Sequence, residues 1–116
     1  MRLPALFLAT LLVPSALTAE TRLLMGREEG CMWCARWDAE IGPIYPKTEV
    51  GQAAPLLETD IRGALPEGIS LKSPLTFTPT FVVLDDGVEI ARIEGYPGED
   101  FFWPLVEQAV LPLSGN

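Results

Sequence analysis

Gly30-Cys31-Met32-Trp33-Cys34 holds the only two cysteines of the 116-residue chain, at C-x-x-C spacing. Upstream, Thr21-Arg22-Leu23-Leu24-Met25-Gly26 has an apolar centre fit for a buried strand, and Arg27 to Gly30 reads as a polar turn. Downstream, Cys34, Trp37, Ile41 and Ile44 recur at helical spacing while Arg36, Asp38 and Glu40 fall elsewhere, so a helix opens at Cys31. A strand-to-helix corner suits a reactive sulfur. The free N–H groups and positive dipole end of a helix N-terminus favour thiolate over thiol. Cys34, one turn along the same face, can attack a mixed disulfide formed at Cys31.

Other readings of the pair carry less. So small a ring removes little unfolded-state entropy, about 2 kcal/mol against about 3 for a 15-residue loop, which makes a purely structural bridge weak. A zinc knuckle needs four ligands, and the chain has no histidine and no second cysteine pair. Two unpaired buried cysteines would suit the cytosol, but the first nineteen residues argue for export.

Residues 1–19 read as a secretory signal, leaving 20–116 as one domain. Arg2 supplies the positive start, Leu3 to Val13 is an apolar run broken by Pro4 and Thr10, and Leu17-Thr18-Ala19 ends in small residues. That run is shorter than the roughly 20 residues a bilayer span needs, so no stable membrane insertion is expected. Without the leader, seven basic residues face sixteen acidic ones, a net of −9. Such acidity argues against nucleic acid or an anionic membrane as partner.

The remaining elements follow from pattern. Trp37 and Ile41 are core positions, and Gly42-Pro43 ends or kinks the helix. Tyr45 to Ala54 adds a weak turn or two. Pro55 to Ile61 reads as a second strand, parallel to the first through a right-handed crossover. From Arg62 to Thr78, Gly63, Pro66, Gly68 and Pro74 leave room for at most one helical turn. Thr80 to Asp85 is the clearest strand, Asp86-Gly87 signals a hairpin, and Val88 to Glu94 alternates apolar Val88 and Ile90 with polar Glu89 before slipping phase at Ala91. After the Gly95-Tyr96-Pro97-Gly98 turn, a last helix from Glu99 to Leu111 presents Phe102, Leu105, Val106 and Ala109 on one face, with a kink expected at Pro104.

This order resembles the thioredoxin fold, an α/β architecture with a mixed central sheet of about four strands flanked by helices. The resemblance implies a cis bond at Thr78-Pro79, where the Thr78 backbone would pair with an extended peptide presented to Cys31. It makes the hairpin running to Gly95 a further wall of that groove. A closer resemblance is to the small periplasmic thioredoxin-like proteins of bacterial sulfur-oxidation (Sox) systems, the SoxS family. It rests on Cys31-Met32-Trp33-Cys34-Ala35-Arg36-Trp37, Pro43-Ile44-Tyr45-Pro46-Lys47-Thr48, Phe77-Thr78-Pro79-Thr80-Phe81-Val82 and Ile93-Glu94-Gly95-Tyr96-Pro97-Gly98-Glu99-Asp100-Phe101-Phe102-Trp103.

What the resemblance implies is a periplasmic thiol–disulfide oxidoreductase with Cys31 and Cys34 as catalytic pair. Trp33, Thr78, Pro79, Gly95 and Tyr96 would contact substrate. No cofactor and no metal are implied; the redox group is the cysteine pair itself. The substrate would be the thiosulfate carrier SoxYZ, kept in its thiol state, with a membrane thiol-electron transporter as donor. A general periplasmic reductase or isomerase, or a non-catalytic redox-sensitive clamp, are the alternatives. The buried aspartate that relays protons in thioredoxins falls near Met25, which relays nothing, and Glu28 and Glu29 read equally well as solvated turn residues. The chain carries no Gly-rich nucleotide motif, so a partner must recharge it.

Overall fold

The computed structural model describes residues 2–9 and 20–114. Residues 2–9 form no regular structure and leave Leu3, Leu6, Phe7 and Leu8 exposed. The rest of the expected leader, with Leu17-Thr18-Ala19, lies outside the described residues.

Four strands form one sheet: β1 (Thr21–Arg27), β2 (Leu56–Asp60), β3 (Thr80–Asp85) and β4 (Val88–Glu94), in the order β2-β1-β3-β4. β1 runs parallel to β2 and antiparallel to β3, and β3 and β4 form the hairpin. The flanking helices are α1 (Met32–Glu40), the short α2 (Glu49–Ala53), which follows a single 3-10 turn at Tyr45–Lys47, and α3 (Glu99–Ser114). β1 and β3 are the inner strands, which is why both read as unbroken apolar runs rather than alternating ones.

Alternate residues of those strands feed two cores. Leu23, Met25, Phe81 and Val83 face α1 and α3, packing with Cys34, Trp37, Ile41, Phe102, Val106 and Val110. Leu24, Val82 and Leu84 face the other way, where the irregular segment 61–78 covers them with Ile69, Leu71 and Leu75. No helical turn forms in that segment; its one ladder contact is an isolated bridge from Ser70 to Val88.

α1 stops where expected. A Cβ on Gly42 would meet the Asp38 carbonyl oxygen at 2.7 Å, and Pro43 follows. Ile44, which extends the helical spacing on paper, lies beyond that stop and is half exposed. α3 runs through Pro104 and Pro112 to Ser114, three residues past the expected end. Leu105, expected on the inward face, is exposed, and Val110, which that reading did not include, is buried with Phe102 and Val106.

β4 departs most from its reading. Val83 pairs with Ala91 but Leu84 pairs with Glu89, so Ile90 is an extra residue, a β-bulge. Val88 and Ile90 are therefore outward. Glu89, read as the polar position, is 5 % exposed and sits with Leu84 on the inner surface of the second face.

Candidate active site

Cys31 and Cys34 are joined by a disulfide, with their Cα atoms 5.2 Å apart. Gly30 precedes them at φ +81°, a backbone conformation that an L side chain adopts at a cost, and it turns the chain from β1 into α1. Cys31 is the N-cap of α1, and its Sγ accepts from the Cys34 N–H at 3.1 Å. The same N–H would favour a thiolate on Cys31 once the bridge opens. Exposure separates the two sulfurs. Cys34 is 1 % exposed within the first core, while Cys31 is half-buried at its edge.

Met32 and Trp33 stand out into solvent from the first turn of α1. The Arg36 guanidinium lies 5.5 Å from the centre of the Trp33 ring and pairs with Glu40 at 3.1 Å. Its charge is directed at those two side chains.

Thr78–Pro79 is cis, with Pro79 buried and Thr78 half-buried. The Gly95 N–H donates to the Pro79 carbonyl at 2.7 Å, which ties the end of the hairpin to the proline. Among the described residues no backbone group bonds to the Thr78 N–H or carbonyl. Thr78 Oγ1 instead donates to Glu28 at 3.2 Å, and Arg62 donates to the other oxygen of that carboxylate at 3.1 Å. Glu28 is thus a connector between the turn before Cys31 and the loop carrying Pro79. Sequence spacing carries no signal for a contact across fifty positions, whereas Glu29 is exposed as a turn residue would be.

A depression of about 550 Å³ opens beside Cys31, bounded by Arg27 to Met32, Ala35 and Asp60. A smaller hollow of about 280 Å³ lies among Phe77, Thr78, Glu94 and Gly95. Tyr96 contributes little surface to either: it is 7 % exposed, its ring lies 6.1 Å from that of Phe102, and its hydroxyl finds no hydrogen-bond partner. Burial, with the nearby Glu40 carboxylate adding to it, pushes the Tyr96 hydroxyl up to about 12. Met25 is fully buried in the core that holds Cys34, and among the described residues the one buried carboxylate is Glu89, on the other face of the sheet. Arg27 lies over Met25, with Nη1 3.8 Å from its sulfur, and is held by Asp38 (2.6 and 2.9 Å) and Glu58 (2.9 Å). The hydrogen bond to Asp38 leads the causes that push the Arg27 guanidinium above its ordinary range. Among the described residues no group of three or more His, Cys, Asp or Glu is placed to hold a metal ion.

No family model matches the chain, and no curated protein does. Among solved structures, the reduced form of the periplasmic thioredoxin SoxS of Paracoccus pantotrophus aligns over 83 % of this chain and 100 % of its own, at 52 % identity and TM-score 0.78. The chain belongs to the SoxS family of periplasmic thioredoxins. Thioredoxin-2 of the malaria parasite (16 % identity, 78 % of this chain and 84 % of that one, TM-score 0.56) shares the fold. So does the Malassezia sympodialis thioredoxin (18 % identity, 77 % and 74 %, TM-score 0.53). With its C-x-x-C disulfide, this SoxS-type chain is a thiol–disulfide oxidoreductase. Among the described residues no helix is long and apolar enough to cross a membrane.

Proposed function

We propose that this SoxS-type protein is exported to the periplasm and there reduces the thiosulfate carrier SoxYZ, with Cys31 as nucleophile and Cys34 as resolving thiol. The observation that carries the assignment is the difference in exposure within one disulfide. A half-buried Cys31 is open to a partner, and a buried Cys34 lies behind it. In the reduced protein the Cys31 thiolate attacks one sulfur of the partner's disulfide and the other leaves as thiolate. Cys34 then attacks Cys31, the partner departs with both electrons, and the Cys31–Cys34 bridge forms. A membrane thiol-electron transporter restores the dithiol. The open backbone of Thr78 beside Pro79 is fit to pair with an extended partner segment, with Gly95 in the same hollow and the exposed Trp33 ring as further contact area for the partner.

Export through a leader at 1–19 is supported by its charge and apolar pattern.

The test is a trap. Cys34→Ser should hold SoxYZ in a mixed disulfide with Cys31, recovered from the periplasm on a non-reducing gel and identified by mass spectrometry. Cys31→Ser should trap nothing. Many unrelated adducts would replace the SoxYZ assignment with a general reductase or isomerase. No adduct at all, with binding undiminished in Cys31→Ser, would make the protein a clamp.

A further inference from the structure

The surface around Cys31 combines exposed apolar side chains with uncompensated negative charge. Met32, which lines the depression beside Cys31, is 75 % exposed and Trp33 is half exposed, while Phe77, in the hollow by the cis-proline loop, is 60 % exposed. Surface of this kind next to a reactive group is a docking face.

Its charge is one-sided. Glu28, Glu29 and Asp60 line the depression beside Cys31, and the guanidinium in its wall, Arg27, is already paired with both Asp38 and Glu58. Arg62 pairs with Glu28. Of these seven ionised groups five are carboxylates and two are guanidiniums, a net of −3. Among the described residues Glu29 and Asp60 have no ion-pair partner. On the Phe77 side the charged group is another carboxylate, Glu94, reached by Arg92 only at 3.9 Å. Its exposed end stands beside Gly95.

We infer that this face selects disulfides carried on a cationic protein segment, with lysine or arginine beside the reacting cysteine, and that Glu29 and Asp60 are the residues that set the preference. The inference rests on the oxidoreductase reading of Cys31 and Cys34 and adds to it the chemistry of the substrate. Carboxylates beside the attacking sulfur gather a positively charged partner and repel a negative one before any bond forms, an effect that salt screens. The apolar side chains supply contact area common to all partners and carry no charge preference.

Small disulfides of different charge separate these contributions. The reduced full-length protein would react with cystamine, a dication, with neutral bis(2-hydroxyethyl) disulfide and with dithiodiglycolate, a dianion. Each rate is divided by that of 2-mercaptoethanol with the same disulfide and salt, which removes intrinsic reactivity and the charge of the thiolate itself. The expected normalised preference for cystamine over dithiodiglycolate is about tenfold at low salt. Near 1 M salt, where the screening length is about 3 Å, it should shrink to within about twofold. Glu29→Gln combined with Asp60→Asn should lower the low-salt preference about threefold; Asn retains the oxygen that accepts the Arg62 N–H. Equal normalised rates, or faster reaction with the dianion, would overturn the inference. A preference undiminished in the double variant would overturn it as well, because the charge would then reside elsewhere. Failure to react with any of the three would instead remove the oxidoreductase reading, and the selectivity with it.

Discussion

Glu89 and Arg92, three residues apart on β4, hold one another through two contacts, 2.8 Å from Nη2 to Oε1 and 3.0 Å from Nε to Oε2, with 5 % and 13 % of their side chains exposed. The bulge at Ile90 makes this possible, since without the extra residue the two would point to opposite faces. The pair also fastens the covering segment: Lys72 N–H donates to Glu89, and Arg92 donates to the carbonyls of Ser73 and Pro74. It thereby helps hold Leu71 and Leu75 over the second core.

Arg92→Ala would leave a buried carboxylate without its partner, and we expect a loss of about 3 kcal/mol in urea unfolding at pH 7. Its pH dependence identifies the cause. Burial by itself pushes Glu89 up, but hydrogen bonds from Arg92 and Lys72, with their charges, outweigh it and hold the group below its ordinary 4.5. A depressed carboxyl contributes stability above its unfolded pKa and loses it as pH falls through the folded one. In the variant the Arg92 contribution is gone and only the Lys72 N–H and charge still oppose burial, so acid costs the variant less. The gap between wild type and Arg92→Ala should therefore narrow below about pH 4.5. A gap constant from pH 7 to 3 would show that the loss is one of packing.

The two tyrosines should be silent at pH 10. Burial raises both, Tyr96 to about 12 and Tyr45 further, while an ordinary tyrosine is half ionised at 10.0. Absorbance near 295 nm at pH 10 should stay low in the folded protein and rise on adding urea. A raised pKa contributes stability that is complete below the unfolded value and is lost as pH climbs through the folded one, so unfolding should become easier above about pH 10. Tyr45→Phe would also bare the Ala54 carbonyl, which the hydroxyl reaches at 2.6 Å, costing about 1 to 2 kcal/mol.

After reduction, limiting iodoacetamide should modify Cys31 at least about tenfold faster than Cys34, read by peptide mass mapping. In urea, where burial no longer protects Cys34, the rates should converge. Faster labelling of Cys34 in the folded protein would reverse the two roles.

Gly51→Ala should be among the costliest single methyl additions. A Cβ there would run into the Tyr45 carbonyl, a backbone group with no rotamer to yield, inside the joint between the 3-10 turn and α2. We expect more than about 2 kcal/mol. At Gly98, where an added Cβ meets nothing within 4 Å but φ is +92°, alanine should cost about 1 to 2 kcal/mol. Urea midpoints would compare the two.

The order of strands and helices was legible from residue patterns, because turn residues and apolar runs act locally. Thr80–Asp85 and Val88–Glu94 were readable to the residue, and so was the cysteine pair at a helix start. What a pattern does not carry is which partner lies across the sheet. Glu89 looks like a surface residue until the Ile90 bulge turns it inward against Arg92 and the passing backbone of residues 72–74. Tyr96 stands in a Gly-Pro turn, where exposure is the natural expectation, yet Phe102 from the following helix turn draws it into the core. Glu28 becomes a connector only because the cis-proline loop, fifty residues on, places the Thr78 hydroxyl within reach. Local sequence determined the elements and the redox pair; long-range packing decided which polar groups are buried, because burial depends on surfaces brought together from distant parts of the chain.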